Sequence, residues 1–293
     1  MKKTKKIVYY AIISLLFLAI VLMFVQIVLQ KHKTVDKNTR LNYVALGDSI
    51  TYGYKLPNGE KNYPTLLAEN LNADLKNYAV VGQTSEELLN HLKNGDYDLK
   101  NADIITIGIG SNDLLKPFEQ VIAQQLGLNP NNDIVEELFK NYHKNPLLIT
   151  SKLPKIKEQL EENPVFINAV QKFKVVTFPE IINEIKKQNP NAELIVINLY
   201  NPYYGVKIPV VFNLSEISDT YISQMNETFE NSDSYKTVDV HSYFQKHGMT
   251  NVELSLNELT KISIDPHPTS QGHMVIYSLI NQILQNGSYN QNY

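Results

Sequence analysis

From Leu41 onward the chain alternates short, almost wholly apolar runs with stretches whose apolar positions recur at helical spacing. Leu41–Gly47, Leu75–Val81, Ala102–Ile109, Ala192–Leu199 and Lys236–Val240 are rich in Val, Ile and Tyr and predict strands. Tyr63–Asn72, Ser85–Asn94, Phe178–Gln188, Ser215–Asn231 and Thr269–Gln285 predict helices, with Ser85 and Thr269 as N-caps and Gly95 closing one of them. Strands without a polar face, alternating with helices, imply a parallel sheet covered on both sides. Such a sheet puts its ligand site at the carboxyl ends of its strands. Residues 115–176 break the rhythm: Leu114–Leu128, Asp133–Tyr142 and Lys155–Gln171 are helical in pattern, separated by Pro130, Pro146, Pro154 and Pro164. About sixty residues is long for a connection, so this stretch is expected to be a helical insertion after the third strand, placed as a lid beside the site.

A different pattern precedes this domain. Ile7 to Leu29 is a run of 23 residues interrupted only by Ser14 and Gln26, both uncharged. As a helix rising 1.5 Å per residue it spans roughly 34 Å, enough for a hydrocarbon core of about 30 Å. A secretory signal has a shorter apolar core, about 7–15 residues, followed by a small-residue cleavage site. Gln30-Lys31-His32-Lys33 offers no such site. The expected organisation is a cytoplasmic tail 1–6, an uncleaved transmembrane anchor 7–29, a linker 30–40, a domain 41–286 held outside the cell at its membrane, and a polar tail 287–293.

Composition narrows the chemistry. The 293 residues include no cysteine, which excludes disulfides, thiolate metal sites and a cysteine nucleophile. The first 40 residues hold eight basic residues against the single acid Asp36, leaving 19 basic and 29 acidic residues beyond them, a formal −10. Arg40 is the only arginine. An acidic domain with no guanidinium is unsuited to nucleic acid, where clustered Arg and Lys carry the affinity.

Three turns that follow the first three expected strands carry polar residues: Gly47-Asp48-Ser49-Ile50, Gly82-Gln83-Thr84-Ser85 and Gly110-Ser111-Asn112-Asp113. Ahead of the last helix stands Asp265-Pro266-His267-Pro268. Together they supply a hydroxyl, small residues that expose backbone N–H groups, an amide donor and a histidine–carboxylate pair. Those are the parts that acyl transfer needs: a nucleophile, its base, a group that orients the base, and an oxyanion hole.

These four blocks, in this order, resemble the SGNH (GDSL) hydrolases, and the resemblance spans the chain from Leu41 to about Leu284. It implies a three-layer α/β/α, flavodoxin-like fold with a mostly parallel five-stranded sheet, and a GDSL-type esterase or lipase that needs no cofactor. It implies Ser49 as nucleophile, His267 as general base and acid, and Asp265 as the carboxylate that orients it. The oxyanion hole implied is the N–H groups of Ser49 and Gly82 with the Asn112 amide. The family's commonest pattern has two residues between Asp and His, whereas Pro266 alone separates Asp265 from His267. In an extended segment side chains two apart share a face, so pairing stays possible; otherwise a backbone carbonyl orients His267 and a Ser–His dyad does the work. The substrates implied are small-molecule, lipid or acylated-glycan esters.

Other readings fit less well. A surface-binding module on the same fold predicts loss of Ser49, Asn112 or His267, and all three are present. An α/β-hydrolase wants Gly-x-Ser-x-Gly at a mid-chain elbow, and a nucleotide binder wants a phosphate-cradling glycine loop; neither occurs. His241 and His273 invite a metal reading with Asp265 and His267, but no compact ligand spacing supports one. Tyr52 and Tyr54 are candidates for a substrate groove or for simple packing.

Overall fold

The computed structural model describes residues 40–129, 132, 134–204, 209–230, 232–248, 250–254 and 262–286. The expected anchor Ile7–Leu29, most of the linker and the tail 287–293 lie outside these residues. Among the described residues no helix is long and apolar enough to cross a membrane.

The unit that begins at Leu41 is organised by strands β1 Leu41–Gly47, β2 Ala73–Asn77, β3 Ile104–Gly108, β4 Glu193–Ile197 and β5 Lys236–Val238. All pairings are parallel and the order is β2-β1-β3-β4-β5, the flavodoxin-like arrangement. The three inner strands are apolar because both of their faces are covered. Val44, Leu46, Ile105, Ile107, Leu194 and Val196 join one core, while Tyr43, Ala45, Ile104, Ile195 and Ile197 join the other. Thr106 is the buried polar residue in these runs, and its hydroxyl is hydrogen bonded to that of Tyr43 at 2.8 Å.

The helices, in chain order, are α1 Ser49–Tyr52, α2 Tyr63–Asn70, α3 Ser85–Asn94, α4 Ser111–Leu126, α5 Ile134–Lys144, α6 Pro146–Glu162, α7 Pro164–Lys172, α8 Phe178–Gln188, α9 Pro209–Asn226, α10 Val240–His247 and α11 Ser270–Asn286. Helices α2, α10 and α11 cover one face of the sheet; α3 to α9 contribute to the core on the other. Between β3 and α8 the chain makes four helices and a π-helical turn, Phe173–Thr177, which is the insertion the pattern implied.

Several boundaries differ from those expected, each for a physical reason. Strand β2 lies earlier than Leu75–Val81 and stops at Asn77; the apolar residues after it, Val80 and Val81, are 45% and 44% exposed in a loop. Lys236–Val240 ends as a strand at Val238, because Asp239 caps α10 by accepting the Ser242 N–H. The cap of α3 is Thr84 rather than Ser85: Thr84 and Glu87 form a capping box. Gly95 closes α3 in the left-handed conformation, and Thr269 caps α11 by accepting the Gly272 N–H. Pro154 does not separate two helices but lies inside α6, where buried Ile149, Leu153, Ile156 and Leu160 hold both halves against the core. The break falls instead at Asn163, which caps α7 through the Val165 N–H.

The unforeseen element is a two-stranded antiparallel ribbon, β6 Thr250–Leu254 with β7 Ile262–Pro268. Its second strand carries both Asp265 and His267. Two prolines in Asp-Pro-His-Pro are unusual in a strand, but a two-stranded ribbon leaves each strand an unpaired side on which a missing N–H costs no ladder bond.

Candidate active site

The site forms where the strand order reverses, between the ends of β1 and β3. Gly47 and Gly108 lie side by side there. A Cβ on Gly47, whose φ is +155°, would stand 2.2 Å from Thr51 Oγ1 and 2.4 Å from the Gly108 carbonyl oxygen, so only glycine lets the chain turn this tightly into α1. Asp48 fixes the turn. Its N–H donates to the Gly108 carbonyl at 3.2 Å and its Oδ1 accepts the Ile50 N–H at 3.0 Å. Burial pushes the Asp48 carboxyl up to about 6, against the pull of that N–H.

Ser49, the first residue of α1, is 9% exposed. Its Oγ lies 2.9 Å from His267 Nε2, and His267 Nδ1 lies 2.5 Å from Asp265 Oδ1. Asp265 Oδ1 also accepts the His267 backbone N–H at 3.1 Å. Burial pushes the Asp265 carboxyl up, but these hydrogen bonds from His267 outweigh it and hold the group below the ordinary carboxylate range. An ionised carboxylate only accepts. Nδ1 therefore donates to Asp265, which leaves Nε2 to accept the Ser49 hydroxyl proton. The short Asp-Pro-His spacing thus brings the side chains together through an extended strand.

Gly82 and Asn112 line the same pocket as Ser49 and His267. Gly82 has φ +79°, with open space where a side chain would be. The Asn112 amide donates one N–H to the Gln83 carbonyl at 2.9 Å, which orients the amide and leaves its second N–H for the pocket. The next residue, Asp113, joins the second and third turns by accepting the Ser85 N–H at 2.9 Å and the Ser85 hydroxyl at 2.6 Å. All five sequence-predicted residues therefore converge on one place.

Of the two tyrosines read as groove candidates, Tyr54 lines the pocket and meets the His267 ring edge-on, with centroids 5.1 Å apart, whereas Tyr52 is 55% exposed and does not line it. Two further residues there escape sequence reading. Lys55 places its ammonium 3.8 Å from Asp265 Oδ2. The buried Tyr200 hydroxyl donates to the Pro266 carbonyl at 2.9 Å and so steadies the strand between Asp265 and His267. These contacts join distant parts of the chain, and no local pattern announces them. His241 and His273 do not line the pocket. His241 Nε2 lies 3.2 Å from Asp219, and buried His273 accepts the Tyr63 N–H at Nδ1, its pKa pushed down to about 4 by burial. No cluster of three or more metal-ligating side chains occurs among the described residues.

The pocket holds about 230 Å³ and is mostly apolar away from Ser49. Part of its wall comes from α4 and α7, so the insertion stands beside the site.

Comparison with known proteins agrees with this architecture. The profile of the GDSL-like lipase/acylhydrolase family matches residues 45–275. A Bacillus subtilis (strain 168) protein, the uncharacterized protein YpmR, is 30% identical over 200 residues, which are 64% of this chain; the chain spans 61% of that relative's length. Among solved structures, a lipase from a goat rumen metagenome is 23% identical with a TM-score of 0.53, covering 83% of this chain and 96% of its own. Phospholipase A1 from Streptomyces albidoflavus NA297 is 18% identical with a TM-score of 0.54, covering 83% and 99%. At these identities the two structures speak for the fold.

Proposed function

The chain belongs to the GDSL-like lipase/acylhydrolase family, and from that premise we propose that it hydrolyses carboxylic esters with Ser49 as nucleophile, His267 as base and Asp265 as the group that orients the base. The observation that carries the reading is the continuous chain Ser49–His267–Asp265, with steps of 2.9 and 2.5 Å, opening on an apolar pocket. Ser49 Oγ attacks the ester carbonyl carbon as its proton passes to His267 Nε2. The N–H groups of Ser49 and Gly82 and the Asn112 amide receive the oxyanion; one such donor is typically worth about 3–4 kcal/mol of transition-state stabilisation. Collapse of the tetrahedral intermediate breaks the bond to the leaving oxygen, which takes the proton from His267 and departs as the alcohol. Water then loses a proton to His267, attacks the acyl-Ser49 ester and releases the acid, and the proton returns to Ser49.

A fluorophosphonate probe tests the nucleophile directly. Wild-type protein is expected to be labelled and Ser49→Ala to stay unlabelled. Equal labelling of the two would refute the assignment.

The substrate class proposed is a small-molecule, lipid or acylated-glycan ester met outside the cytoplasm. The apolar run Ile7–Leu29 behind four lysines supports a single-pass anchor with the domain beyond it. Protease added to intact cells is then expected to release the domain that begins near Leu41. Protection until the membrane is broken would put the domain inside.

A further inference from the structure

We propose that the pocket beside Ser49 is shaped for an unbranched acyl chain of medium length, and that the helical insertion sets that length. The proposal rests on the esterase reading and narrows its substrate. The 230 Å³ pocket has room for about seven or eight methylene-sized groups, taking each at the roughly 30 Å³ that a water molecule occupies in the liquid. An acetyl group would leave most of that space empty.

The lining decides what fills it. Leu114, Leu115 and Phe118 come from α4, Phe166 from α7, Ile222 from α9, and Val81 from the loop after β2. Ser111 and Ser218 share the lining with the polar residues around Ser49, against a majority of aliphatic and aromatic carbon. A sugar ring brings several hydroxyls, and each one buried without a partner is penalised. A hydrocarbon chain brings none. The walls are also pre-formed, as ligand pockets usually are. Leu114, Phe118, Phe166 and Ile222 are buried in the core, and the Phe166 ring packs edge-on against Tyr221 with centroids 4.3 Å apart. Such a pocket measures its ligand rather than adapting to it. One of the exposed apolar residues after β2 has a purpose on this reading: Val81 forms part of the pocket's lining.

The test is a series of p-nitrophenyl esters from acetate to palmitate, hydrolysed by the detergent-solubilised full chain. Each methylene buried is worth about fourfold, so kcat/KM is expected to climb about fourfold per added methylene to an optimum near octanoate, and to fall beyond it. Leu115→Trp, at a half-buried wall position, fills the pocket and moves the optimum to shorter chains. Phe166→Leu enlarges it and moves the optimum to longer ones. Phe166 is a core residue, so Leu115→Trp is the variant on which the proposal stands if Phe166→Leu fails to fold.

The outcomes separate the two levels of the argument. Fluorophosphonate labelling of Ser49 together with a flat profile or an acetate preference overturns the acyl-chain proposal and leaves the esterase reading standing. An optimum near octanoate that Leu115→Trp does not move also overturns it, because the pocket would then not be the measuring site. Neither labelling nor hydrolysis of any ester ends both readings.

Discussion

His267→Ala is expected to lower kcat by roughly five to six orders of magnitude, the scale on which loss of a base paired to a serine nucleophile is felt. The size follows from how the site is wired. On the proposed mechanism the base is His267 Nε2, 2.9 Å from Ser49 Oγ, and the acid next in sequence to Ser49 has another role. Asp48 is buried, and its Oδ1 holds the Ile50 N–H as the cap of α1, so it serves the turn and not the hydroxyl. Without the imidazole the Ser49 hydroxyl loses the acceptor that lies 2.9 Å away, and the leaving alcohol loses its donor. The oxyanion hole remains, which is why a residue of catalysis over water should survive. The measurement is kcat on a soluble ester, with thermal unfolding as a control for folding. A variant within tenfold of wild type, folded and free of contaminating esterase, would remove His267 from the mechanism.

The site was easier to read from the sequence than the framework around it. Ser49 and Asn112 each follow a strand closely, and β1 and β3 are neighbours in a parallel sheet, so a local rule about strand ends was enough to bring them together. The inner strands were also plain, because burial on both faces removes polar residues from them. Where an apolar run served another purpose the same rule misled: Val80 and Val81 continue the hydrophobic pattern of β2 but lie exposed in the loop after it. Proline misled in both directions. Pro154 sits inside a helix whose packing outweighs one lost hydrogen bond, and Pro266 and Pro268 sit in a strand with an unpaired side. Lys55, Tyr200 and the Ser85–Asp113 link were out of reach, since each joins segments that only the folded chain brings near one another.

Asp265→Asn should cost about three to four orders of magnitude in kcat, and this substitution decides whether one intervening residue completes a triad. The geometry favours the full triad. Residues two apart on β7 share a face, and the carboxylate meets both the ring Nδ1 and the backbone N–H of His267 through the same oxygen. The other oxygen lies toward the Lys55 ammonium, and Tyr200 holds the Pro266 carbonyl between the two residues. An asparagine at 265 keeps the volume but removes the charge, and its amide can present an N–H to Nδ1. The imidazole then takes the tautomer with its proton on Nε2, where it cannot accept from Ser49. The pH profile adds a second reading. Asp265 lies below the ordinary carboxylate range, so it stays ionised across mildly acidic and neutral pH and does not itself shape the wild-type acid limb there. In the variant the imidazolium loses its counter-charge, protonation of the ring becomes less favourable, and the acid limb moves to lower pH. A purely structural role for Asp265 would lower the amount of active enzyme without moving that limb. Near-normal turnover in both Asp265→Asn and Asp265→Ala, with the limb unmoved, would mean that Ser49 and His267 work as a dyad and that the 2.5 Å contact contributes little to the chemistry.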